Sequence, residues 1–183
     1  MSQKIFTATA VTKVEFTHEN LVDLFSTAEL YSARYFPAWV PKKFFDLKDK
    51  GEGDCFEDSL VNVLANGGYI CIGDMEEAEE GLTIEDARKH KNSKVLEVEE
   101  LDDYECDNWI GACLVYKLPT YHITLARIQT AFEEIISGAT TCDKETTECL
   151  QRNYREIFIE ENGDFYDAWN IVQYIVFGDI IYG

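Results

Sequence analysis

Residues 54–73 of the chain read DCFEDSLVNVLANGGYICIG, and two periodicities meet in this stretch. Asp54 followed three positions later by Glu57 has the form of a capping box, which satisfies otherwise unpaired N–H groups in a helix's first turn. Phe56, Leu60, Val63 and Leu64 then recur at helical spacing, giving one apolar face. Asn66-Gly67-Gly68 supplies residues that tolerate the positive φ with which helices end. Tyr69–Gly73 follows at once as a short apolar strand. A capped helix that runs directly into a strand sets helix against sheet, and the flanking text decides the arrangement.

Upstream, Lys4–Phe16 (KIFTATAVTKVEF) is β-branched and free of Gly and Pro, so it reads as a strand. Thr17 stands where an N-cap belongs, and Leu21, Leu24, Phe25, Ala28 and Tyr31 predict an amphipathic helix of about four turns. Pro37 and Pro41 are expected to stop it and to bracket an aromatic turn, YFPAWVP. Downstream, an acidic passage follows Gly73, with a short helix expected over Thr83–His90 and a strand over Lys94–Glu99. Trp109–Leu118 and Tyr121–Ile123 read as strands. Thr124, or Pro119–Thr120, opens a helix carrying Leu125, Ile128, Phe132, Ile135 and Ile136, closed by Gly138. Residues 139–152 are polar and are expected to fray or to form one helical turn. Asn162–Gly163 marks a turn, and Asp164 caps a last helix with Trp169, Ile171, Val172, Ile175, Val176 and Phe177 as its apolar set. Strands are too few and too unevenly spaced for a doubly wound parallel sheet. The expectation is a single α+β domain over residues 1–183: a small antiparallel sheet, helices packed on one face, and an acidic insertion at about 74–107.

The chain has 183 residues, of which 46% are apolar and 13% aromatic, enough to bury a core despite its charge. It holds 35 acids against 16 Lys and Arg, a net of −19. A pI near 4.4 opposes binding to nucleic acid or an anionic membrane through a broad basic face. No apolar run approaches the roughly 20 residues of a membrane-spanning helix. The first residues lack a signal-peptide layout, so a soluble, cytoplasmic protein is expected. The charge is segregated. Residues 1–50 carry six acids and seven bases, a net of +1; residues 74–107 carry fourteen acids and four bases, a net of −10. Residues 143–167 add eight acids against three bases, a net of −5. One strongly negative surface is the natural consequence.

That acidic passage is the leading candidate for a binding site. A DNA duplex carries one negative charge per roughly 1.7 Å of its axis and is held by channels of Lys and Arg. In a strand at Val95–Glu99, Leu96 and Val98 can point inward while Glu97 and Glu99 point out, about 6.5–7 Å apart, comparable to successive phosphates. Glu100, Asp102, Asp103, Glu105 and Asp107 continue the row, and Asp74, Glu76, Glu77, Glu79 and Glu80 could flank it. The plainer reading is a solvated loop that only confers solubility. Leu82, Ile84, Val95, Leu96, Val98 and Leu101 inside the passage argue instead for folded structure.

Other chemistry finds less support. His18, His90 and His122 form no zinc-enzyme spacing. There is no G-x-S-x-G elbow, no Walker A loop and no G-x-G-x-x-G after a strand, and GEGD at 51–54 suits a turn before a capped helix. Cys55 sits in a first helical turn, but Asp54, Glu57 and Asp58 oppose its thiolate. Two pairs, Cys106/Cys113 and Cys142/Cys149, share a C-x6-C spacing wider than paired zinc ligands use, and with Cys55 and Cys71 all six are read as ordinary thiols. DMEE and ELDD lack the spacing and central glycine of a calcium loop. No catalytic residue, metal or cofactor is therefore expected. Tyr31, Tyr35, Phe36, Trp39, Phe44 and Phe45 are read first as core; interleaved with Lys42, Lys43, Lys48 and Lys50 they could instead contact nucleic acid or an acidic surface. An exposed apolar strip on the last helix could serve a homodimer.

Four segments carry a family resemblance: TKVEFTHENLVDLF, LANGGYICIGDMEE, YHITLARIQTAFEEII and DAWNIVQYIVFGDIIYG. The last is the most specific, through Ile171, Gln173, Tyr174, Phe177, Gly178, Asp179, Tyr182 and Gly183. Together they resemble a family of small acidic proteins encoded by phages and mobile elements of gut Firmicutes. Residues 78–107 depart from shorter members and look like an insertion. With its length and acidic segment the chain looks like members that act as anti-CRISPR proteins against type II-A Cas9. The resemblance implies a non-enzymatic inhibitor in the bacterial host cell, whose partner is Cas9 or a similar effector with a basic nucleic-acid channel. The alternative is a structural or adaptor protein of a mobile element that uses the same fold for protein–protein contact.

Overall fold

The computed structural model describes residues 16–31, 37–48, 50, 55–73 and 120–182. Thr17 caps the first helix, α1 (His18–Thr27): its hydroxyl accepts the Asn20 N–H at 3.1 Å, and Asn20 Oδ1 accepts the Thr17 N–H at 3.0 Å. Leu21, Leu24 and Phe25 are its buried face. The helix does not reach Tyr31. Glu29 adopts φ 52°, Leu30 donates back to the Phe25 carbonyl at 3.1 Å and Glu29 to Ser26 at 3.0 Å. That reversal ends the helix ahead of Pro37 and turns Leu30 into the core, while Tyr31 stays 48% exposed.

The aromatic turn expected between the prolines contains a strand, β1 (Ala38–Trp39). A two-residue edge strand flanked by prolines suits a position where one side needs no ladder partner. A 3-10 turn (Lys42–Phe44) and a short helix, α2 (Phe45–Lys48), follow. Helix α3 (Phe56–Ala65) starts one residue later than expected, with Cys55 at its N-cap and Asp58, not Glu57, accepting the cap N–H at 3.4 Å. It ends as its text implies, with Gly67 at φ 81° and Gly68 donating to the Val63 carbonyl at 2.9 Å.

The strand β2 (Tyr69–Gly73) is central, paired antiparallel to β1 on one side and to β3 (Thr120–Thr124) on the other. Thr124 caps α4 (Leu125–Ser137), accepting the Arg127 N–H at 3.2 Å, and Gly138 closes it at φ 71°. The polar text after it forms a full helix, α5 (Lys144–Phe158), rather than one turn. Its first half is indeed polar, but Leu150, Asn153, Tyr154, Ile157 and Phe158 continue one stripe beyond residue 152 and pack inward. Asp164 caps α6 (Phe165–Phe177) by accepting the Tyr166 and Asp167 N–H groups at 2.8 and 3.1 Å.

Strand alternation puts Ala38, Ile70, Ile72 and Ile123 on one face of the sheet. Against them α1, α3, α4, α5 and α6 contribute Leu24, Phe25, Leu60, Leu64, Ile128, Phe132, Leu150, Ile171 and Ile175, in one continuous core. The described residues thus form a single α+β domain. Helix α6 lies deep in it: Ala168, Trp169 and Ile171 through Ile175 are all buried. The apolar strip expected for a dimer is therefore spent in the core, and Tyr166 alone of this helix is a markedly exposed large apolar residue. Arg127 holds the helix's far end, donating from Nε to the Ile175 carbonyl and from NH2 to the Tyr174 carbonyl, both at 2.8 Å. Buried Gln173 clasps the tail that follows, accepting the N–H groups of Ile181 and Tyr182 at 3.0 and 2.7 Å and donating to the Tyr182 carbonyl at 2.8 Å. No helix among the described residues is long and apolar enough to cross a membrane.

Candidate partner-binding surface

All twelve carboxylates expected to meet a partner, from Asp74 to Asp107, lie outside the described residues, as do the helix over 83–90 and the strands over 94–99 and 109–118. The strand over 4–16 does too, save for Phe16, which packs edge-on against Phe132 with centroids 5.0 Å apart. What is fixed is where the acidic passage attaches. Gly73 is the last residue of β2 and pairs with Thr120, the first of β3. The chain therefore leaves and rejoins the sheet at the same end, at directly opposed positions.

The outer face of the sheet carries Trp39, Cys71 and His122, each opposite the next, with Tyr69 beside them. Trp39 and Cys71 are buried. The His122 ring stacks on Tyr69 at 4.1 Å, Phe44 meets Tyr69 edge-on at 5.0 Å, and Lys43 donates to the Tyr69 hydroxyl at 2.6 Å. Lys48 sits 4.7 Å over the Phe45 ring. Trp39, Phe44 and Phe45 therefore follow the core reading, and these lysines lie along the protein's own rings. Tyr35 and Phe36 lie outside the described residues.

Cys55, Asp58 and His18 come together, though not in the order nucleophilic catalysis needs. The Cys55 thiol donates to Asp58 Oδ2 at 2.9 Å, and Asp58 Oδ1 lies 3.0 Å from His18 Nε2. The carboxylate separates thiol from imidazole, whereas an activated cysteine has its base adjacent. The hydrogen bond to Asp58, then burial, pushes the Cys55 thiol above its usual range, which opposes thiolate. Asp58 is itself held below the usual carboxylate range by the Cys55 and His18 hydrogen bonds. The trio joins the first turns of α1 and α3. Cys55, Cys71, Cys142 and Cys149 are all free thiols, while Cys106, Cys113 and His90 lie outside the described residues. Among the described residues no group of three or more His, Cys, Asp or Glu side chains, this trio included, is arranged to hold a metal ion.

One groove was not anticipated. Helix α1 lines it with Asn20, Asp23 and Thr27, the end of α5 with Ile157 and Phe158, and the α5–α6 connection with Glu161 and Gly163, around about 240 Å³. Its walls come from opposite ends of the chain, so no local motif announces it. The acidic 143–167 block does reach it, through Glu161, and that net of −5 is the only forewarning in the text. Glu161 adopts φ 53°, and Asn162 and Gly163 both donate to the Glu156 carbonyl at 3.1 Å. No protein-family model, curated protein or solved structure matches the chain.

Proposed function

We propose that the protein is a non-enzymatic inhibitor of a host defence nuclease, an anti-CRISPR protein acting on a Cas9–guide complex. Its acidic segment occupies the basic channel that otherwise receives target DNA. One observation carries the reading: fourteen acids against four bases lie between Asp74 and Asp107, while the first fifty residues are nearly neutral. Channels of such effectors contact nucleic acid mainly through its backbone, so a competitor needs negative charge at suitable spacing and no base sequence. Attachment at two opposed positions of one sheet supports the reading further, because anchored ends leave a segment less freedom to lose on docking.

The test is a pull-down with Cas9, with and without guide RNA, followed by target-DNA competition. Replacing Glu97, Glu99 and Asp103 together by lysine is expected to abolish inhibition while leaving the circular dichroism and melting midpoint of the protein in place. Affinity of the unaltered protein should drop steeply between low and moderate salt. Undiminished inhibition by the triple variant, or binding indifferent to salt, refutes the carboxylate row.

A further inference from the structure

Asp23 and Glu161 stand on opposite walls of the groove between α1 and the α5–α6 connection, and none of the described residues that line it is basic. A void of about 240 Å³ falls below the roughly 300–1,000 Å³ of pockets that hold metabolites or cofactors. It suits one long side chain. Half-buried Ile157 and Phe158 give it an apolar wall for an aliphatic stem. Two carboxylates in the lining select positive charge. An arginine side chain satisfies both features at once, its stem being aliphatic and its guanidinium weakly hydrated and able to bond carboxylates in a fork.

Two further observations favour a protein as the bearer of that group. Ile159 and Tyr166, each 68% exposed, are the most exposed large hydrophobics among the described residues, and both flank the same connection. Exposed apolar side chains beside a charged recess are the composition of a contact patch. The recess is also held in shape: a Cβ at Gly163 would overlap Ile157 Cδ1, and Glu161 is fixed in the left-handed region by its neighbours' bonds to Glu156. A preset recess loses little freedom when filled. We propose that this groove seats an arginine side chain presented by a protein partner. The inference does not depend on the acidic segment or on Cas9.

The probe is a blocked pentapeptide with one arginine between glycines, titrated into the full-length isotope-labelled protein and followed by backbone amide shifts. Saturable shifts are expected at Asn20, Thr27 and Gly163. The same peptide with citrulline, which keeps the shape and loses the charge, should bind about tenfold more weakly or worse. Asp23→Asn with Glu161→Asn should weaken the arginine peptide by a similar factor; asparagine tolerates the left-handed conformation at 161, so the turn survives. Glu145→Gln with Glu148→Gln, removing the same charge elsewhere on α5, should change binding less than twofold, and amide dispersion reports folding in every variant. Shifts that fail to saturate, map away from the groove, persist with citrulline, or respond equally to both double variants overturn the proposal.

Discussion

Tyr174 shows how much one side chain can organise in this protein. Its ring is 1% exposed, and its hydroxyl donates to Glu134 Oε2 at 2.9 Å, on a carboxylate that Arg127 NH1 approaches at 3.5 Å. Arg127 in turn holds the carbonyls of Tyr174 and Ile175, so the loop of contacts closes on itself. Burial, and then the Glu134 carboxylate, pushes the phenol up to about 12. A raised pKa means that the folded protein keeps a proton the unfolded chain gives up near 10. The stabilisation is complete below that pH and disappears as the pH climbs toward 12. Cys142 behaves alike from 9 to about 11, chiefly through burial and then Asp179, and Cys55 and Tyr154 are raised as well, so the phenol is read as the difference its own removal makes once Cys142 is silenced. In a Cys142→Ser background, this phenol should take on the order of 1–2 kcal/mol from the unfolding free energy measured in urea between pH 10 and 12, and Tyr174→Phe should lessen the decline by that amount. An equal decline with phenylalanine at 174 would mean that this hydroxyl is not the group concerned. None of this was legible from Tyr174 itself, because the partners that shift it lie on another helix.

Helix α5 separates what a sequence yields locally from what it yields only in context. Thr17, Thr124, Asp164, Gly67 and Gly138 do in the structure what their side chains imply in isolation, because capping is settled within four residues. Helix α5 carries one buried leucine, Leu150, among threonines and charges, and its apolar stripe completes itself only at Tyr154, Ile157 and Phe158. Its stability must come from packing, since its text has little hydrophobic drive of its own. Polar groups fix its place: Asn153 donates to Asp167 and accepts from Asn170 at 3.2 Å. The candidate groove was hidden for the same reason, as α1 and the α5–α6 connection meet only in the fold. Leu150→Ala should therefore cost about 2–4 kcal/mol in urea unfolding, as truncation of a fully buried leucine does. The same change should speed hydrogen exchange through α5 and α6 before it does so in the sheet. Exchange accelerated uniformly, or a loss well under 1 kcal/mol, would show that α5 stands without that contact.

At the scale of the whole molecule, a net charge of −19 on 183 residues acts on stability and on recognition with opposite signs. Like charges in such excess repel, and mobile ions relieve that repulsion over a Debye length of about 8–10 Å. The exposed ion pairs among the described residues, which salt would weaken, are modest by comparison. Lys144–Glu148 and Arg155–Glu160 span 3.4 and 2.9 Å between largely exposed side chains, the class of pair worth a few tenths of a kcal/mol. Adding sodium chloride at neutral pH should thus raise the urea midpoint, the unfolding free energy gaining about 1 kcal/mol between low and moderate ionic strength. Urea is the denaturant to use, since guanidinium chloride would itself supply the screening. Lowering the pH is no substitute. It relieves repulsion but also protonates Asp58, whose depressed pKa adds stability above the unfolded value that is lost as pH falls through the folded one. If the acidic surface also serves as a polyanion toward a basic channel, the same salt series should loosen the complex while it tightens the fold. A midpoint that stays level or drops with salt would place the excess acids too far apart to repel, and so too far apart to imitate a row of phosphates.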